Sequence, residues 1–168
     1  MAEDTLDEDA LLDLIETHFM GQGAQDVAIA VSGGSDSVAL LVLMAELAKR
    51  ADLRPVAISI DHGLREAAKD EVQFVMALCG RLGVPHHVEN WRGWDGRGNL
   101  QDAARQARLE LITDWAQASG ISTVALGHTA NDQAETVLMR MARGSGVNGL
   151  SAMAPRRLRQ GITWVRPL

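Results

Sequence analysis

The chain has 168 residues, a formal net charge of −6 at neutral pH and an ordinary globular composition that suits one domain. Its single cysteine, Cys79, excludes an internal disulfide framework and any Cys-x-x-Cys metal or redox site within the chain. The sequence shows neither a signal peptide nor an uninterrupted apolar run of about 20 residues, which predicts a cytoplasmic protein that does not enter the membrane.

Charge is unevenly distributed along the chain. Residues 1–16 contain seven acidic residues and no basic one, whereas no carboxylate follows Glu135. An arginine-rich segment without acids is typical of a surface for an anionic partner such as RNA, although a solvated face explains it equally well. The arginines of this segment are Arg140, Arg143, Arg156, Arg157, Arg159 and Arg166.

Hydrophobic periodicity predicts the first elements in chain order. An acidic amphipathic helix lies within residues 1–22, and a short buried strand follows at residues 27–31. A polar turn then leads into a helix whose apolar run begins at Val38. That run is long enough for the helix to be buried nearly all round, as in the centre of an α/β sheet.

The remaining elements continue the alternation of strands and helices. Further strands are predicted at residues 56–60, 86–91, 123–126 and 162–165. The helices between them are marked by the apolar stripes Val72, Val75, Met76, Cys79, Leu82 and Ala104, Ala107, Leu111, Trp115, and by a stripe over residues 134–141. Gly83, Gly120 and Gly144 end these helices, and Asn99 caps the second. The pattern predicts an α/β fold, a doubly wound and mostly parallel five-stranded sheet with helices on both faces, in one domain over residues 1–168.

The turn after the first strand carries the most chemistry. Glycines permit positive φ and close ligand approach, while hydroxyls and the free N–H groups of a helix start donate hydrogen bonds to an anion such as phosphate. The residues are Ser32, Gly33, Gly34, Ser35, Asp36 and Ser37. They match neither a Walker loop nor a dinucleotide fingerprint. Asp36 would repel phosphate unless a cation lay between them, which suggests Mg²⁺ bridging to polyphosphate oxygens; the alternative is that Ser35 or Asp36 merely caps the helix.

Polar residues also follow two other predicted strands, at residues 61–63 and 127–128. Ligands of open α/β sheets bind at the carboxyl ends of the strands, so we expect these residues near the loop. Asp61 and His62 make no zinc site without further partners. His86 and His87 lie within a predicted strand and are given no role.

Residues 32–37 resemble the pyrophosphate loop (PP-loop) of the N-type ATP pyrophosphatases, which cleave ATP between its α and β phosphates. Other segments are similar to the signature of one family within that superfamily, the tRNA(Ile)-lysidine synthetases. They are Asp61-His62-Gly63-Leu64-Arg65, Asn99-Leu100-Gln101 with Arg105 and Arg108, and residues 131–136 followed by residues 143–150. The chain departs from the family pattern at Asn131, Gln101 and Leu109, where the family usually has Asp, Glu and Tyr.

The resemblance implies a ligase that uses ATP and Mg²⁺. The C2 carbonyl of the wobble cytidine of tRNA(Ile) with a CAU anticodon is adenylylated, and the ε-amine of L-lysine then attacks to give lysidine, AMP and pyrophosphate. Asp36 would hold the metal, while Arg105 or Arg108 together with Asp132 would hold lysine's carboxylate and ammonium groups. His128 would orient substrate or shuttle a proton. Salt bridges on a solvated helix are the alternative for the arginines, and a structural role is the alternative for His128.

Two other functions compete with this interpretation. The tRNA thiolases carry sulfur on cysteines, and Cys79 alone cannot supply a pair of thiols. A module that binds ATP without turnover, as in universal stress proteins, does not need Asp36 and Asp132. Members of the resembled family continue past residue 168, so we expect a C-terminally truncated enzyme that binds ATP but modifies tRNA poorly. The oligomeric state is left open, a homodimer included.

Overall fold

The structure is a computed structural model that describes residues 8–20, 25–63, 66–92, 98–127 and 154–168. The sequence-based predictions for His128, Asn131 and Asp132, and the helix predicted over residues 134–141, lie outside these residues. None of the helices in the described part of the chain has the length and apolarity that a membrane span requires.

Within the described residues the chain alternates between helices and strands. The helices are α1 (Glu8–Thr17), α2 (Ser35–Leu47), α3 (Glu66–Leu82) and α4 (Leu100–Ala118). The strands are β1 (Gln25–Ala30), β2 (Leu53–Asp61), β3 (His86–Asn90), β4 (Thr123–Leu126), β5 (Arg156–Arg159) and β6 (Ile162–Val165).

The strands form one sheet with the order β3-β2-β1-β4-β6-β5. All neighbouring pairs are parallel except β5 and β6, which are antiparallel. The chain first builds outward from β1 to β2 and β3, and then returns to the other side of β1 to add β4. The strand order therefore reverses beside β1, and such a reversal opens a crevice at the carboxyl ends of the strands. The loop of residues 32–37 follows β1 and lies at this crevice.

The α/β fold and the mostly parallel sheet are confirmed, but the predicted number of five strands was wrong because β5 makes a sixth. The segment from Arg156 to Arg159 has three arginines and one leucine, and Leu158 is 72% exposed. Such a sequence gives no apolar alternation. Pairing with β6 supplies the strand with its backbone hydrogen bonds, and charged side chains are common on edge strands because they discourage pairing with other chains.

Both faces of the sheet are covered by helices. On one face, here called the α2 face, α1, α2 and α3 bury Ile15, Leu41 and Val75 against odd-numbered residues of β1. On the other, the α4 face, Ile112 and Ala116 pack with Trp164 and the even-numbered residues of β1. As predicted, α2 is almost entirely enclosed: of residues 38–47 only Ala39 is exposed.

Two predicted helix stripes are rotated in the structure. In α3, Met76 is 55% exposed and Leu78 takes its place in the core beside Val75 and Cys79. Successive helical residues lie about 100° apart, so Met76 points away when Val75 faces the sheet. In α4 the deepest residues are Ile112, Thr113 and Ala116, whereas the predicted stripe is only partly buried. The predicted cap of α4 is confirmed, since the Asn99 side chain accepts a hydrogen bond of 2.9 Å from the Gln101 N–H.

Candidate active site

The loop between β1 and α2 is held by two of its own hydroxyl groups. Ser37 Oγ donates to the Gly34 carbonyl at 2.9 Å and accepts from the Ser32 N–H at 3.2 Å. Ser32 Oγ lies 3.2 Å from Ser37 Oγ and accepts from the Gly34 N–H at 3.4 Å. A hydroxyl has a single proton, and that of Ser37 is given to Gly34, so Ser32 is the donor between the two serines. These two hydroxyls shape the loop.

The side chains of Ser35 and Asp36 take no part in these hydrogen bonds within the loop. The residue before α2 is Gly34, which provides no side-chain cap, so neither Ser35 nor Asp36 caps the helix. The first N–H groups of a helix have no acceptor within the helix. Ser35 Oγ donates to Asp36 Oδ1 at 3.1 Å, which leaves the second carboxylate oxygen of Asp36 open to another partner. The loop thus offers N–H donors and one carboxylate to the crevice above β1.

Two glycines allow the loop to pack closely against its neighbours. Gly33 has a φ of +90°, and a Cβ there would lie 3.1 Å from Glu71 Cβ on α3. Gly127 follows β4, and a Cβ on it would lie 2.7 Å from the Asp36 carbonyl oxygen and 2.8 Å from the Ser37 nitrogen. The backbone after β4 therefore presses directly against the start of α2.

Gly127→Ala should destabilise the fold by about 1–3 kcal/mol, because the added methyl group overlaps backbone atoms that cannot move without shifting α2. Gly80→Ala is the matched control. Gly80 lies in α3 with open space around its Cα, so alanine there should stabilise by about 0.5–1 kcal/mol. Thermal unfolding followed by circular dichroism measures both changes. If the Tm of Gly127→Ala is not lower than that of Gly80→Ala, the backbone after β4 does not pack closely against the loop.

Two cavities open at the carboxyl ends of the strands. The loop cavity, of about 230 Å³, lies between β1 and β4 over residues 34–37 and Gly127. The β2 cavity, of about 130 Å³, lies between the ends of β1 and β2 beneath α3, and Ile60, His62, Glu71 and Val75 contribute to its lining. Ser32 and Arg108 line both. Each cavity far exceeds the roughly 10–15 Å³ that a single water needs, so the two together can accept an elongated ligand with a polar and an apolar end.

Arg108 is the cation at the junction of the two cavities. It is partly buried on α4, and burial lowers the pKa of its guanidinium, with Arg105 one helical turn away adding to the effect. Arg105 is exposed and lines neither cavity. The structure thus separates two arginines that the sequence pattern treats as equivalent. A guanidinium always carries its charge and offers five N–H donors, so Arg108 can bind a carboxylate or phosphate in either cavity.

His62 lies at the rim of the β2 cavity and was given no role from the sequence. Burial is the main cause that lowers its pKa, Arg108 lowers it further and Asp61 opposes the change. Its ring meets Trp91 edge-on, with centroids 5.6 Å apart. Among the described residues the buried Nδ1 has no hydrogen-bond partner. A neutral imidazole with an unused ring nitrogen can bind a ligand group in this cavity.

His86 belongs to a chain of hydrogen bonds that crosses the sheet behind the loop. The buried Ser59 hydroxyl donates to the Val31 carbonyl at 2.8 Å, and His86 Nε2 lies 2.9 Å from the same hydroxyl. Because the Ser59 proton is already given to Val31, Nε2 of His86 must be the protonated nitrogen. Its Nδ1 is buried without a partner among the described residues. Burial lowers the pKa of His86, with His87 as the second cause.

This lowered pKa predicts acid sensitivity. Below the ordinary histidine value of about 6.5 the unfolded chain takes up a proton that the folded chain resists, so stability is lost as pH falls from about 7 to about 5. In His86→Gln the amide N–H can still donate to Ser59 but does not titrate. We expect a smaller loss of stability across this window than in the wild type, measured as the urea midpoint at each pH. An identical loss in both proteins would contradict the assignment.

Some of this site could have been found from sequence. His62 follows β2 directly, and ends of parallel strands meet at one edge of a sheet. The need for glycine at position 127 depends on the spacing between β4 and α2, which no sequence motif reveals. Ser59 and His86 looked like ordinary strand residues. Among the described residues no cluster of three His, Cys, Asp or Glu side chains forms a metal site.

Comparison with known proteins places these features in a family. A family model described as a PP-loop domain matches residues 5–168. The chain is 47% identical to a tRNA(Ile)-lysidine synthase from Ruegeria pomeroyi over 164 residues, which is 98% of the chain and 39% of that protein. It is 45% identical to the enzyme of the same name from a Methylobacterium species, over 89% of the chain and 43% of the relative. The chain thus spans about two fifths of the length of these relatives.

Solved structures share the fold at much lower identity. A U34-tRNA thiolase from Methanococcus maripaludis, determined with its iron–sulfur cluster, superimposes with a TM-score of 0.79 at 18% identity, over 95% of this chain and 58% of the thiolase. An NH₃-dependent NAD synthetase from Campylobacter jejuni gives a TM-score of 0.59 at 14% identity, over 96% of this chain and 65% of the synthetase. At such identities the likeness shows a common fold alone.

Proposed function

Because this chain belongs to the PP-loop domain family, we propose that it is the ATP-cleaving part of a tRNA(Ile)-lysidine synthase. The proposal is supported by relatives of that name that are 42–47% identical over most of the chain. Its substrates would be ATP, L-lysine and tRNA(Ile) with a CAU anticodon, and the reaction would take place in the cytoplasm.

The reaction has two steps that each form and break one bond. In the first, the C2 carbonyl oxygen of the wobble cytidine bonds to the α-phosphorus of ATP, and pyrophosphate leaves with the electrons of the broken P–O bond. In the second, the neutral ε-amine of lysine bonds to C2, the C2–O bond breaks so that AMP leaves with its electrons, and the amine nitrogen releases one proton. The protein therefore has to bind a polyphosphate, a nucleobase and an amino acid at one place.

The observation that carries the proposal is the pair of cavities joined at Ser32 and Arg108. The loop cavity has N–H donors at the start of α2, which suits the phosphates of ATP. The β2 cavity has apolar walls from Ile60, Val72 and Val75, and His62 also contributes to its lining, which suits the adenine base. ATP lying across Ser32 would thus present its α-phosphate beside Arg108.

Asp36 would hold Mg²⁺ through its unoccupied carboxylate oxygen. A single carboxylate suffices because Mg²⁺ is commonly bound by one or two carboxylates together with substrate phosphates. The bound ion would supply charge neutralisation on the pyrophosphate that leaves. Ser35 Oγ, at 3.1 Å from Asp36 Oδ1, orients the carboxylate for this role.

Lysine would be bound by Arg108 and Asp132, which contact its carboxylate and ammonium groups respectively. Of the two arginines that the sequence pattern allows, Arg108 is favoured because it lines both cavities whereas Arg105 is exposed outside them. His128 directly follows Gly127 in the sequence and lies outside the residues that the structure describes. It would orient substrate or accept the proton that the lysine amine releases.

The lysine assignment can be tested with Asp132→Asn. Replacing a charged partner by a neutral amide should raise the lysine KM about 10- to 100-fold, while adenylylation of the tRNA persists. Lysine-dependent AMP release from isolated adenylylated tRNA measures the effect. Asp114→Asn, exposed on α4, is the control and should behave as the wild type. An unchanged lysine dependence in Asp132→Asn would reject this role.

A tRNA thiolase is the nearest competing function, and Cys79 bears on it. A thiolase that carries sulfur on cysteines needs reactive thiolates. Cys79 is the one cysteine of these 168 residues; it is buried on α3 and burial raises its pKa.

An ATP-binding module without turnover is the other alternative, and Mg-ATP binding without pyrophosphate release in the presence of tRNA and lysine would favour it.

A further inference from the structure

Three arginines from separate elements meet at the carboxyl end of the sheet on the α4 face. Arg157 lies on β5 opposite Trp164, and opposed residues of an antiparallel pair point to the same face. Trp164 packs with Ile112 and Ala116 of α4, so Arg157 lies on the α4 face as well. Arg166 follows β6, and its Nη1 donates to the Ala154 carbonyl at 2.9 Å.

Arg105 joins this group from α4. Burial, Arg157 and Arg105 all lower the pKa of Arg166, in that order, and Arg105 also lowers the pKa of Arg108. Arg105 lies seven residues before Ile112, two turns along the side of α4 that packs with Trp164, and so lies toward the end of β6 that Arg166 follows. The four arginines thus form a continuous series that leads from Arg108 in the cleft, through Arg105 and Arg166, to Arg157 on the edge strand.

The other arginines of β5 do not belong to this series. Arg156 is on the α2 face, where its Nη1 lies 3.5 Å from the His18 carbonyl oxygen. Arg159 pairs with Ile162 at the opposite end of β5. The turn beside it lies near the end of α4, because the Gln160 carbonyl accepts a hydrogen bond from the Gln117 side chain. The arginine-rich segment of the sequence therefore does not form one surface, and of its described arginines only Arg157 and Arg166 lie on the α4 face at the carboxyl end of β6.

This series is not balanced by acids among the described residues. The ion pairs found there involve Lys49, Arg50, Arg54 and His87, and none involves Arg105, Arg108, Arg157 or Arg166. Residues 154–168 contain no carboxylate at all. Holding like charges together costs free energy, and a bound polyanion offsets that cost at several positions at once.

We propose that Arg105, Arg157 and Arg166 form a docking surface for the phosphate backbone of RNA, referred to here as the arginine track. The inference rests on the proposed function and adds to it the direction from which the RNA enters. Successive phosphates bind along the track, which ends at Arg108, so a nucleotide just beyond the last phosphate reaches the two cavities. Arg105 is thereby assigned to RNA and not to lysine.

The test is the affinity for a fluorescently labelled tRNA(Ile) transcript with a CAU anticodon, measured at several salt concentrations. Arg105→Ala and Arg157→Ala should each weaken binding about five- to tenfold at roughly 0.1 M salt and lower the slope of log K against log salt by about one, since each loses one phosphate contact. Arg81→Ala is the matched control. It removes the same charge from the last turn of α3, on the α2 face and at the other end of the sheet, and should leave affinity and slope unchanged.

The arginine track would be overturned if neither variant changed the affinity or the slope, or if Arg81→Ala caused an equal loss. Tighter binding to vesicles rich in phosphatidylserine than to the tRNA would also overturn it. Mg-ATP binding by the wild type, measured by calorimetry, separates this result from a failure of the proposed function. If the wild type binds Mg-ATP but Arg157→Ala binds the RNA as tightly as the wild type does, only the arginine track is rejected. If the wild type does not bind Mg-ATP, the proposed function is rejected.

Discussion

Asp36→Ala should lower ATP-dependent pyrophosphate release by about 10²–10³-fold, the largest loss we expect from any single substitution in this chain. Asp36 is assigned to the metal ion, and Ser35 Oγ at 3.1 Å is its side-chain partner within the described residues. The frame of the loop depends instead on Ser32, Gly34 and Ser37. The fold should therefore survive the substitution, which a thermal unfolding curve would check.

Two controls sharpen this experiment. Asp36→Asn keeps the shape of the side chain but not its charge, and should lose nearly as much activity as alanine if the carboxylate binds Mg²⁺. Glu46→Ala, near the end of the same helix, removes a partly exposed carboxylate that pairs with Lys49 and should release pyrophosphate at the wild-type rate. Full activity in Asp36→Ala would show that the metal role is wrong.

Arg108→Ala should produce the second largest loss, about 100-fold in lysine-dependent AMP release. A partly buried guanidinium that binds a carboxylate in two hydrogen bonds has no substitute when it is removed, because the ligand's charge is then left without a partner. We expect the loss to appear mainly as a higher lysine KM. Initial rates at varied lysine concentration, with adenylylated tRNA as the substrate, measure it.

Arg108→Lys and Gln106→Ala make this result specific. Lysine keeps the positive charge but cannot form the planar pair of hydrogen bonds, so it should recover only part of the activity. Gln106 is exposed on the same helix and bonds to Glu110 at 2.6 Å, so its truncation should leave the KM unchanged. A wild-type lysine KM in Arg108→Ala would remove Arg108 from the lysine site.

The sequence predicts the parallel part of the fold well because buried strands are simple patterns. Both β4 and β6 begin and end where the apolar runs do. An edge strand such as β5 follows no such pattern, since the hydrogen bonds of its partner stabilise it and two of its three arginines are exposed. The rotation of α3, which buries Leu78 and exposes Met76, likewise depends on how the helix packs against its neighbours and not on the helix alone.

In the candidate site, too, features formed by contiguous residues could be predicted from the sequence, whereas features that depend on contacts between distant residues could not. The residues of the loop are contiguous in the sequence, and their pattern alone predicts an anion site at the start of α2. The difference between Arg105 and Arg108 depends on where α4 crosses the sheet, so two arginines one turn apart look alike until α4 is in place. The requirement for glycine at position 127 likewise comes from its close packing against Ser37, 90 positions earlier in the sequence, where an added Cβ would lie 2.8 Å from the Ser37 nitrogen.

The central claim is that this chain cleaves ATP between its α and β phosphates to activate a tRNA base for attack by lysine. The most direct measurement follows ATP labelled at the α-phosphorus, incubated with the protein, Mg²⁺ and a tRNA(Ile) transcript with a CAU anticodon. Without lysine the label should become attached to the tRNA as pyrophosphate appears, and added lysine should release it as AMP. Because we expect these 168 residues to modify tRNA poorly, the protein is used in molar excess over the tRNA. Formation of ADP, or ATP binding with no label on the tRNA even then, would contradict the claim.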